Sequence, residues 1–109
     1  MVTSAQARPA RGEVWLINLD PTVGREIQKA RPCVVLSPPE LNKHLSTMIV
    51  APLTSGSLPA PFRVATSFDG KSGLMLLEQI RAVDTERLVR KVGKIDRLTL
   101  SAALGVLRA

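Results

Sequence analysis

Short apolar runs separated by polar turns follow one another along most of the chain. In residues 13–19 the side chains alternate between two faces, with Val14 on one and Trp15 and Ile17 on the other, which is typical of a β-strand. Other stretches either alternate in the same way or are continuous and rich in β-branched residues. They predict further strands at residues 33–36, 48–53, 62–66, 73–77 and 87–92.

Polar segments divide these strands. Asp20, Pro21 and Gly24 supply turn chemistry, and the charged residues 25–31 predict an exposed loop of about ten residues. The continuous apolar run at 33–36 predicts a strand that is buried on both faces. Residues 40–43 predict a single helical turn, and the polar residues 84–86 separate the last two strands.

The C-terminal segment changes to helical spacing. Apolar residues recur there every three or four positions, and Asp96 is a suitable N-cap in front of them. The predicted apolar face consists of Ile95, Leu98, Ala102 and Val106, with Leu104 and Leu107 beside it. Short strands followed by one amphipathic helix predict a mainly β protein with short helices, in which that helix plugs or flanks a small barrel.

Length and composition are those of one folded domain. The chain has 109 residues, of which 45% are hydrophobic, so there is enough apolar surface for one core and too little chain for two. Residues 1–10 are small, polar and proline-bearing, and we predict a loose arm there. Residues 11–109 form the predicted domain.

Charge indicates the class of partner. The formal net charge is +6, which attracts polyanions such as nucleic acid or an acidic protein, although many soluble domains are basic for no catalytic reason. The aromatic residues are Trp15, Phe62 and Phe68 alone, too few for an RNA-binding sheet lined with aromatic rings.

Cysteine usage and hydropathy indicate the compartment. Cys33 is the only cysteine, so neither an intrachain disulfide nor a multi-cysteine zinc site can form. The chain has no signal-like apolar run near its start and no stretch of membrane-spanning length. We therefore predict a cytoplasmic protein that does not enter the membrane.

Several motifs, in order, resemble one family, the MazF/PemK toxins. Each motif alone is weak, but the ordered set is fairly specific and covers nearly the whole chain from residue 11 onward. The matching segments are 11–15 (RGEVW), 19–26 (LDPTVGRE), 29–38 (KARPCVVLSP) with Asn42 soon after, 50–55 (VAPLTS) and 73–84 (GLMLLEQIRAVD).

The resemblance implies an SH3-like small barrel, a homodimer and an acidic MazE-like antitoxin as partner. It also implies an endoribonuclease that cuts single-stranded RNA, whether messenger, transfer or ribosomal, at short sequence motifs. The family's arginine before the proline of the second strand and its threonine closing the next strand correspond to Arg31 and Thr54. The PemK branch adds an arginine and an acid near the fifth strand, where this chain has Leu76 and Glu78. This chain therefore lacks the arginine of that branch's version of the mechanism.

The chemistry of RNA fits these residues. RNA carries its own nucleophile, the 2′-hydroxyl, so no metal and no cofactor is required. An enzyme must take the 2′ proton, stabilise the charge of the phosphorane and protonate the leaving 5′ oxygen. The planar fork of Arg31 can hold the scissile phosphate at any physiological pH, and the Thr54 hydroxyl can donate to it or to the leaving oxygen. The alternatives are that Arg31 is a surface residue and Thr54 a turn residue.

The proton acceptor is not settled by the sequence. Glu78 is the candidate, but a carboxylate near Arg31 can equally be its ion-pair partner. His44 has a suitable reference pKa, yet its polar surroundings favour an ordinary exposed residue.

RNA-binding residues are predicted beside the catalytic ones. The loop before Arg31 carries Arg25, Gln28 and Lys29, and it either closes over the bound strand or is plain solvated loop. Ser55 and Gln79, which follow Thr54 and Glu78, are also assigned to substrate binding. Trp15 is either a base-stacking ring or, more often in such a strand, a core or dimer-interface ring, and Cys33 is predicted to be a buried thiol.

Two rival functions remain. CcdB-like toxins share this fold and poison DNA gyrase without nuclease activity, but they depend on a C-terminal Trp-Gly-type ending, whereas this chain ends Val106-Leu107-Arg108-Ala109. The other rival is a catalytically dead relative that only binds RNA or a protein.

Overall fold

The computed structural model describes residues 9–19 and 30–108. It confirms a mainly β protein with short helices and one longer helix at the C-terminus. The strands are β1 (Glu13–Asn18), β2 (Ala30–Val35), β3 (Thr47–Thr54), β4 (Arg63–Phe68), β5 (Lys71–Leu76), β6 (Arg81–Asp84) and β7 (Leu88–Lys94). The helices are α1 (Pro39–His44) and α2 (Arg97–Arg108), with single 3-10 turns at Leu77–Gln79 and Thr85–Arg87.

The strands form one antiparallel sheet that curls into a half-barrel. Its order is β4-β5-β3-β2-β1-β7, and β6 pairs with β3 outside that path. Strand β6 lies outside the path because one edge of the eight-residue strand β3 pairs with two different strands. The first half of β3 pairs with β6 and its last two residues pair with β5. The sheet therefore divides at the end of β3, close to Thr54.

Apolar side chains cover both faces of the sheet. Val34 belongs to a cluster beneath α2, whereas Cys33 and Val35 belong to a cluster with β6 and β7. The prediction that this run is buried on both faces is thus confirmed. The same alternation along β1 sends Val14 into the first cluster and Ile17 into the second. Full burial of such a side chain contributes about 1.5–3 kcal/mol.

Helix α2 begins and packs largely as its sequence indicates, but its buried face is only partly the predicted one. Asp96 accepts a hydrogen bond from the Thr99 amide at 2.7 Å, as an N-cap does. Ala103 is fully buried against the first cluster, whereas Leu98 is 82% exposed and Ala102 is also exposed. The predicted face is right for Ile95 and Val106 but wrong for Leu98 and Ala102, since Ile95 reaches the core from the connection before the helix and not as part of it.

Helix α1 is fastened to the sheet by a buried polar cluster. Asn42 is buried, and its amide donates to the Pro9 carbonyl at 2.9 Å and to the Ser37 carbonyl at 3.0 Å. The Ser37 hydroxyl donates to the Asn42 side-chain oxygen and accepts from the Ile49 amide. These contacts satisfy polar groups that would otherwise be costly to bury. The Asn42 of the matched motif therefore has a structural role.

Two predictions of local structure need correction. Strand β6 was missed because its four residues carry a single buried apolar side chain, Val83. Ala30 and Arg31, predicted as loop, are exposed but begin strand β2. The rest of the predicted arm and loop, residues 1–8 and 20–29, lies outside the described residues. Neither described helix is long and apolar enough to span a membrane.

Candidate functional site

A groove lies where the sheet divides, at the end of β3. Its volume is about 180 Å³. It is lined by Arg31 and Pro32 of β2, by the end of β3 and the following Ser55, and by both strands of the β4–β5 hairpin. Arg31 and Thr54, the two residues that the family resemblance assigns to catalysis, thus face the same space.

The register of the sheet explains why they meet. Strand β2 pairs with β3 with Cys33 opposite Pro52. Continued by two residues, this register sets Arg31 opposite Thr54, and opposed residues of an antiparallel pair point to the same face with Cβ atoms about 5 Å apart. The Arg31 side chain is exposed, so its guanidinium is accessible to a ligand in the groove.

The Thr54 hydroxyl is oriented by the turn that follows it. Its oxygen accepts a hydrogen bond from the Gly56 amide at 3.3 Å. Because this bond uses a lone pair, the hydroxyl proton is left for donation to another group. Thr54 is half-buried and Ser55 beside it is exposed. The end of β3 therefore presents a held hydroxyl that can act as a donor.

A glycine on β5 permits this arrangement. A Cβ atom at Gly73 would lie 2.6 Å from the carbonyl oxygen of Thr54 and 3.1 Å from its carbonyl carbon. No side chain fits at that distance, so β5 can approach the Thr54 peptide closely only because residue 73 is glycine. The position of the Thr54 backbone depends on this contact.

Three further groove residues were missed by sequence reasoning: Thr66, Phe68 and Lys71. Thr66 is buried and its hydroxyl donates to the Val64 carbonyl at 2.8 Å. Phe68 is half-buried and packs against the first apolar cluster. The signal available in the sequence was Asp69-Gly70, which marks a two-residue hairpin turn and so sets Phe68 and Lys71 side by side at its end.

Glu78 lies in the 3-10 turn after β5 and is not among the residues that line the groove. Its carboxylate accepts from Arg63, at 2.7 Å from Nη2 and 3.0 Å from Nε. Desolvation raises the pKa of Glu78, but the hydrogen bonds and charge of Arg63 outweigh it, so the net pKa lies below the ordinary value. The sequence left open an ion-pair role for Glu78 beside Arg31, and the salt bridge that the structure shows for Glu78 is with Arg63.

The other predicted residues are distributed around the groove or away from it. Gln79 is half-buried beside Glu78 and does not line the groove, whereas Ser55 does. His44 is exposed at the end of α1, as expected. The predicted contacts Arg25, Gln28 and Lys29 lie outside the described residues, in the segment that precedes β2.

Trp15 and Cys33 are structural in this chain. Trp15 packs beside the second cluster, and its indole N–H donates to the Glu13 carboxylate at 3.0 Å. Cys33 is fully buried, and desolvation raises the pKa of its thiol to about 12. Such a thiol is not reactive at neutral pH.

The described lining of the groove carries positive charge. It includes the cations Arg31 and Lys71 and no aspartate or glutamate. Across residues 9–19 and 30–108, no three His, Cys, Asp or Glu side chains gather as a metal-binding group. The described groove thus offers positive charge and hydroxyl donors, the groups that bind phosphate.

Comparisons with known proteins agree with this fold. Residues 10–109 match the family described as PemK-like, MazF-like toxin of type II toxin-antitoxin systems. Endoribonuclease MazF9 of Mycobacterium tuberculosis is 35% identical over 102 residues, which cover 84% of this chain and 86% of that protein.

Solved structures show the same fold. The crystal structure of MazF from Deinococcus radiodurans superimposes with a TM-score of 0.82 at 29% identity, covering 93% of this chain and 94% of that one. The MazE–MazF complex from the same organism gives a TM-score of 0.74 at 26% identity and covers 93% and 92%.

The fold, the groove and these matches define the class of protein as a toxin of a type II toxin-antitoxin system. Within that class, the chain belongs to the PemK-like, MazF-like toxin family.

Proposed function

We propose that this chain, an endoribonuclease of the PemK-like and MazF-like toxin family, cuts single-stranded RNA at short sequence motifs by attack of the 2′-hydroxyl, without a metal. The observation that carries the proposal is the meeting of Arg31 and Thr54 in one groove whose described lining carries positive charge. Relatives that bear the name endoribonuclease support the reaction class.

The proposed reaction uses the RNA's own nucleophile. The 2′ oxygen bonds to the adjacent phosphorus as its proton leaves, and the bond to the 5′ oxygen of the next nucleotide breaks. Arg31 stabilises the additional negative charge on the phosphorane, and Thr54 donates to a phosphoryl oxygen or to the leaving oxygen. The products are a 2′,3′-cyclic phosphate and a free 5′-hydroxyl.

Glu78 stays the predicted proton acceptor, and its contacts define how to test it. Its pairing with Arg63 favours an ion-pair role, since a lowered pKa makes a weaker base. If Glu78 accepts the proton, Glu78→Gln lowers kcat on the order of a hundredfold while Arg63→Gln does not. Equal small losses in both variants would remove Glu78 from the catalytic set.

The size of the groove supports a single-stranded substrate. Its 180 Å³ equals about six times the roughly 30 Å³ that one water molecule occupies in the liquid. A space of this size takes up part of one nucleotide, which suits a strand whose bases are unpaired. Ser55, which lines the groove, and Gln79, Arg25, Gln28 and Lys29 are the proposed contacts to bases and phosphates.

The proposed assembly is a cytoplasmic homodimer neutralised by an acidic MazE-like antitoxin. The net charge of +6 supports an acidic partner, and the MazE–MazF complex shows that a protein of the same fold binds an antitoxin. Exposed Ile49 on β3, opposite Ala82 of β6, offers apolar surface for a second copy. Light scattering on the purified toxin, with and without the antitoxin, measures both assemblies.

The experiment that tests the function is cleavage of labelled RNA by the purified protein in excess EDTA. We expect discrete fragments that end in a 2′,3′-cyclic phosphate, and sequencing of their 5′ ends gives the cleavage motif. A strand with deoxyribose at the mapped site should remain intact, because it lacks the nucleophile. Intact RNA throughout, with inhibition of DNA gyrase instead, would establish the CcdB-like alternative. Binding of RNA without cleavage would indicate a dead relative.

A further inference from the structure

Lys71 lies at the start of β5, where this strand forms one wall of the groove. Side chains alternate along a strand, so Lys71, Gly73 and Met75 share one face. Met75 is fully buried in the first apolar cluster, and Gly73 lies against Thr54. This face runs from the buried Met75 to the exposed Lys71, and both Lys71 and its neighbour Ser72 line the groove.

The backbone that carries Lys71 is held in place. Asp69 and Gly70 have φ angles of 49° and 73°, the positive values of a two-residue hairpin turn, and this turn pairs Phe68 with Lys71. Phe68 packs against β7, where a Cβ atom at Gly93 would come within 3.4 Å of the ring. The hairpin end is therefore anchored to the sheet, and only the lysine side chain remains free to turn.

The Lys71 ammonium is available to an anion. Its side chain is exposed, and no hydrogen bond or ion pair joins it to another residue in the described ranges. By contrast, the Lys91 ammonium lies 2.9 Å from the Glu13 carboxylate. An unneutralised ammonium on the wall of a groove without described acids favours a phosphate ligand.

The distance along β5 indicates which phosphate is bound. Leu74 is the residue of β5 that pairs with Thr54. Lys71 lies three residues before it, which is about 10 Å along the strand. The Lys71 backbone is therefore offset along β5 from the position where Thr54 pairs, which favours a phosphate beside the scissile one as its ligand.

We propose that Lys71 binds the phosphate next to the scissile one and so holds the RNA strand in register with Arg31 and Thr54. This inference rests on the proposed function. A phosphate contact carries no sequence information, so Lys71 contributes to affinity for any strand and not to the choice of cleavage motif.

The test compares Lys71→Gln with Lys43→Gln, an exposed lysine of α1 that does not line the groove. Binding is measured by fluorescence anisotropy over a range of salt concentrations. The probe is a labelled oligonucleotide with deoxyribose at the mapped cleavage site, which cannot be cut. We expect Lys71→Gln to weaken binding about fivefold and to reduce the slope of log K against log salt by about 0.7, as for one lost contact to single-stranded nucleic acid. Lys43→Gln should match the wild type, and Lys71→Arg should restore the slope.

An RNA probe in which one phosphate is replaced by a neutral analogue shows which phosphate Lys71 contacts. Two further probes carry a methylphosphonate on the 5′ or the 3′ side of the cleavage site. We expect one of them to weaken binding by the wild type while leaving Lys71→Gln unaffected, because the variant has already lost that contact. In cleavage assays the variant should raise KM more than it lowers kcat and should keep the same motif.

Three results would overturn the inference. If Lys71→Gln and Lys43→Gln show the same salt slope while the wild type cuts RNA, Lys71 makes no phosphate contact and the proposed function stands. If Lys71→Gln changes the cleavage motif, the lysine contacts a base edge instead. A wild-type protein that does not cut RNA overturns the proposed function together with this inference.

Discussion

The groove at the end of β3 and a second basic cleft beside α2 differ in how their charges are arranged. The second cleft is the larger, about 450 Å³, and it is lined by Arg11, Lys91, Lys94 and Arg97. It is also lined by Glu13 and Asp96, and both of these carboxylates have partners within the protein. Glu13 binds Lys91, and Asp96 caps α2.

The comparison shows that the number of cations does not identify a site. In the second cleft, Arg11 donates to the Leu36 carbonyl at 2.8 Å, so part of the positive charge serves the fold. The described lining of the groove includes Arg31, Lys71 and several hydroxyl-bearing residues, but no aspartate or glutamate. The Lys71 ammonium, which has no hydrogen-bond or ion-pair partner among the described residues, is charge that a polyanion can use.

The largest effect is expected from a pair of variants that compares the groove with the second cleft. Arg31→Gln should lower kcat by at least about a hundredfold, since the phosphorane loses its cationic partner. Arg97→Gln removes the same charge from the second cleft and should leave cleavage within about twofold, because Arg97 makes no contact with the groove. Single-turnover cleavage of one labelled RNA measures both. Equal losses in the two variants would mean that overall charge, and not the groove, drives the reaction.

A smaller loss is expected from the Thr54 hydroxyl. Thr54→Val keeps the shape of the side chain but removes the donor, and kcat should fall about tenfold to a hundredfold. Thr54→Ser keeps the hydroxyl and should retain most of the activity. Circular dichroism and thermal unfolding verify that both variants fold. Wild-type rates in Thr54→Val would reduce Thr54 to a turn residue.

Gly73→Ala tests whether the close approach of β5 positions Thr54. The added Cβ would overlap the Thr54 carbonyl oxygen at 2.6 Å, so β3 and β5 must separate. We expect about 1–3 kcal/mol lower stability and a fall in kcat of about tenfold. The matched control is Gly105→Ala in α2, where a Cβ meets nothing within 4 Å. That variant should gain roughly 0.5–1 kcal/mol, as alanine does in a helix, with cleavage unchanged.

The sequence predicts only part of this site, because the rest depends on the register in which the strands pair. Motifs identify Arg31 and Thr54 by residue type and order. Lys71 and Phe68 become groove residues only once the Asp69-Gly70 turn pairs them and β5 reaches the end of β3, and no periodicity within one strand contains that information. The ion-pair partner of Glu78 was missed for the same reason, because Arg63 is brought beside it by the β4–β5 pairing.

The fold was predicted better where burial repeats along the chain. Strand β2 was recognised because four successive apolar residues bury both faces, whereas β6 has one buried apolar residue and was missed. The predicted face of α2 was wrong at Leu98 and Ala102 because a residue before the helix was counted as part of it, which rotates the apparent apolar stripe. Sequence patterns thus predict an element in which the pattern of burial repeats. The ends of that element depend on contacts made elsewhere in the fold.

The smallest expected effect concerns stability in the second cleft. Glu13 accepts from the Ala10 amide and the Trp15 indole through one oxygen, and its other oxygen binds Lys91. Glu13→Gln keeps an acceptor for the first two but sets an amide against the ammonium. We expect a loss of about 1 kcal/mol in the free energy of unfolding at neutral pH, with RNA cleavage unchanged.

The pH dependence of that loss follows from the pKa of Glu13. Desolvation raises it, but hydrogen bonds and the Lys91 charge outweigh this, and the folded pKa lies below the ordinary 4.5. The carboxylate therefore stabilises the fold fully above pH 4.5, and this contribution disappears as the pH falls through the lower folded value. Urea unfolding from neutral to acidic pH, followed by the fluorescence of the single tryptophan, should show the wild type and Glu13→Gln converging only below pH 4.5. A difference that persists unchanged in acid would mean that the lost stability comes from the shape of the side chain and not from its charge.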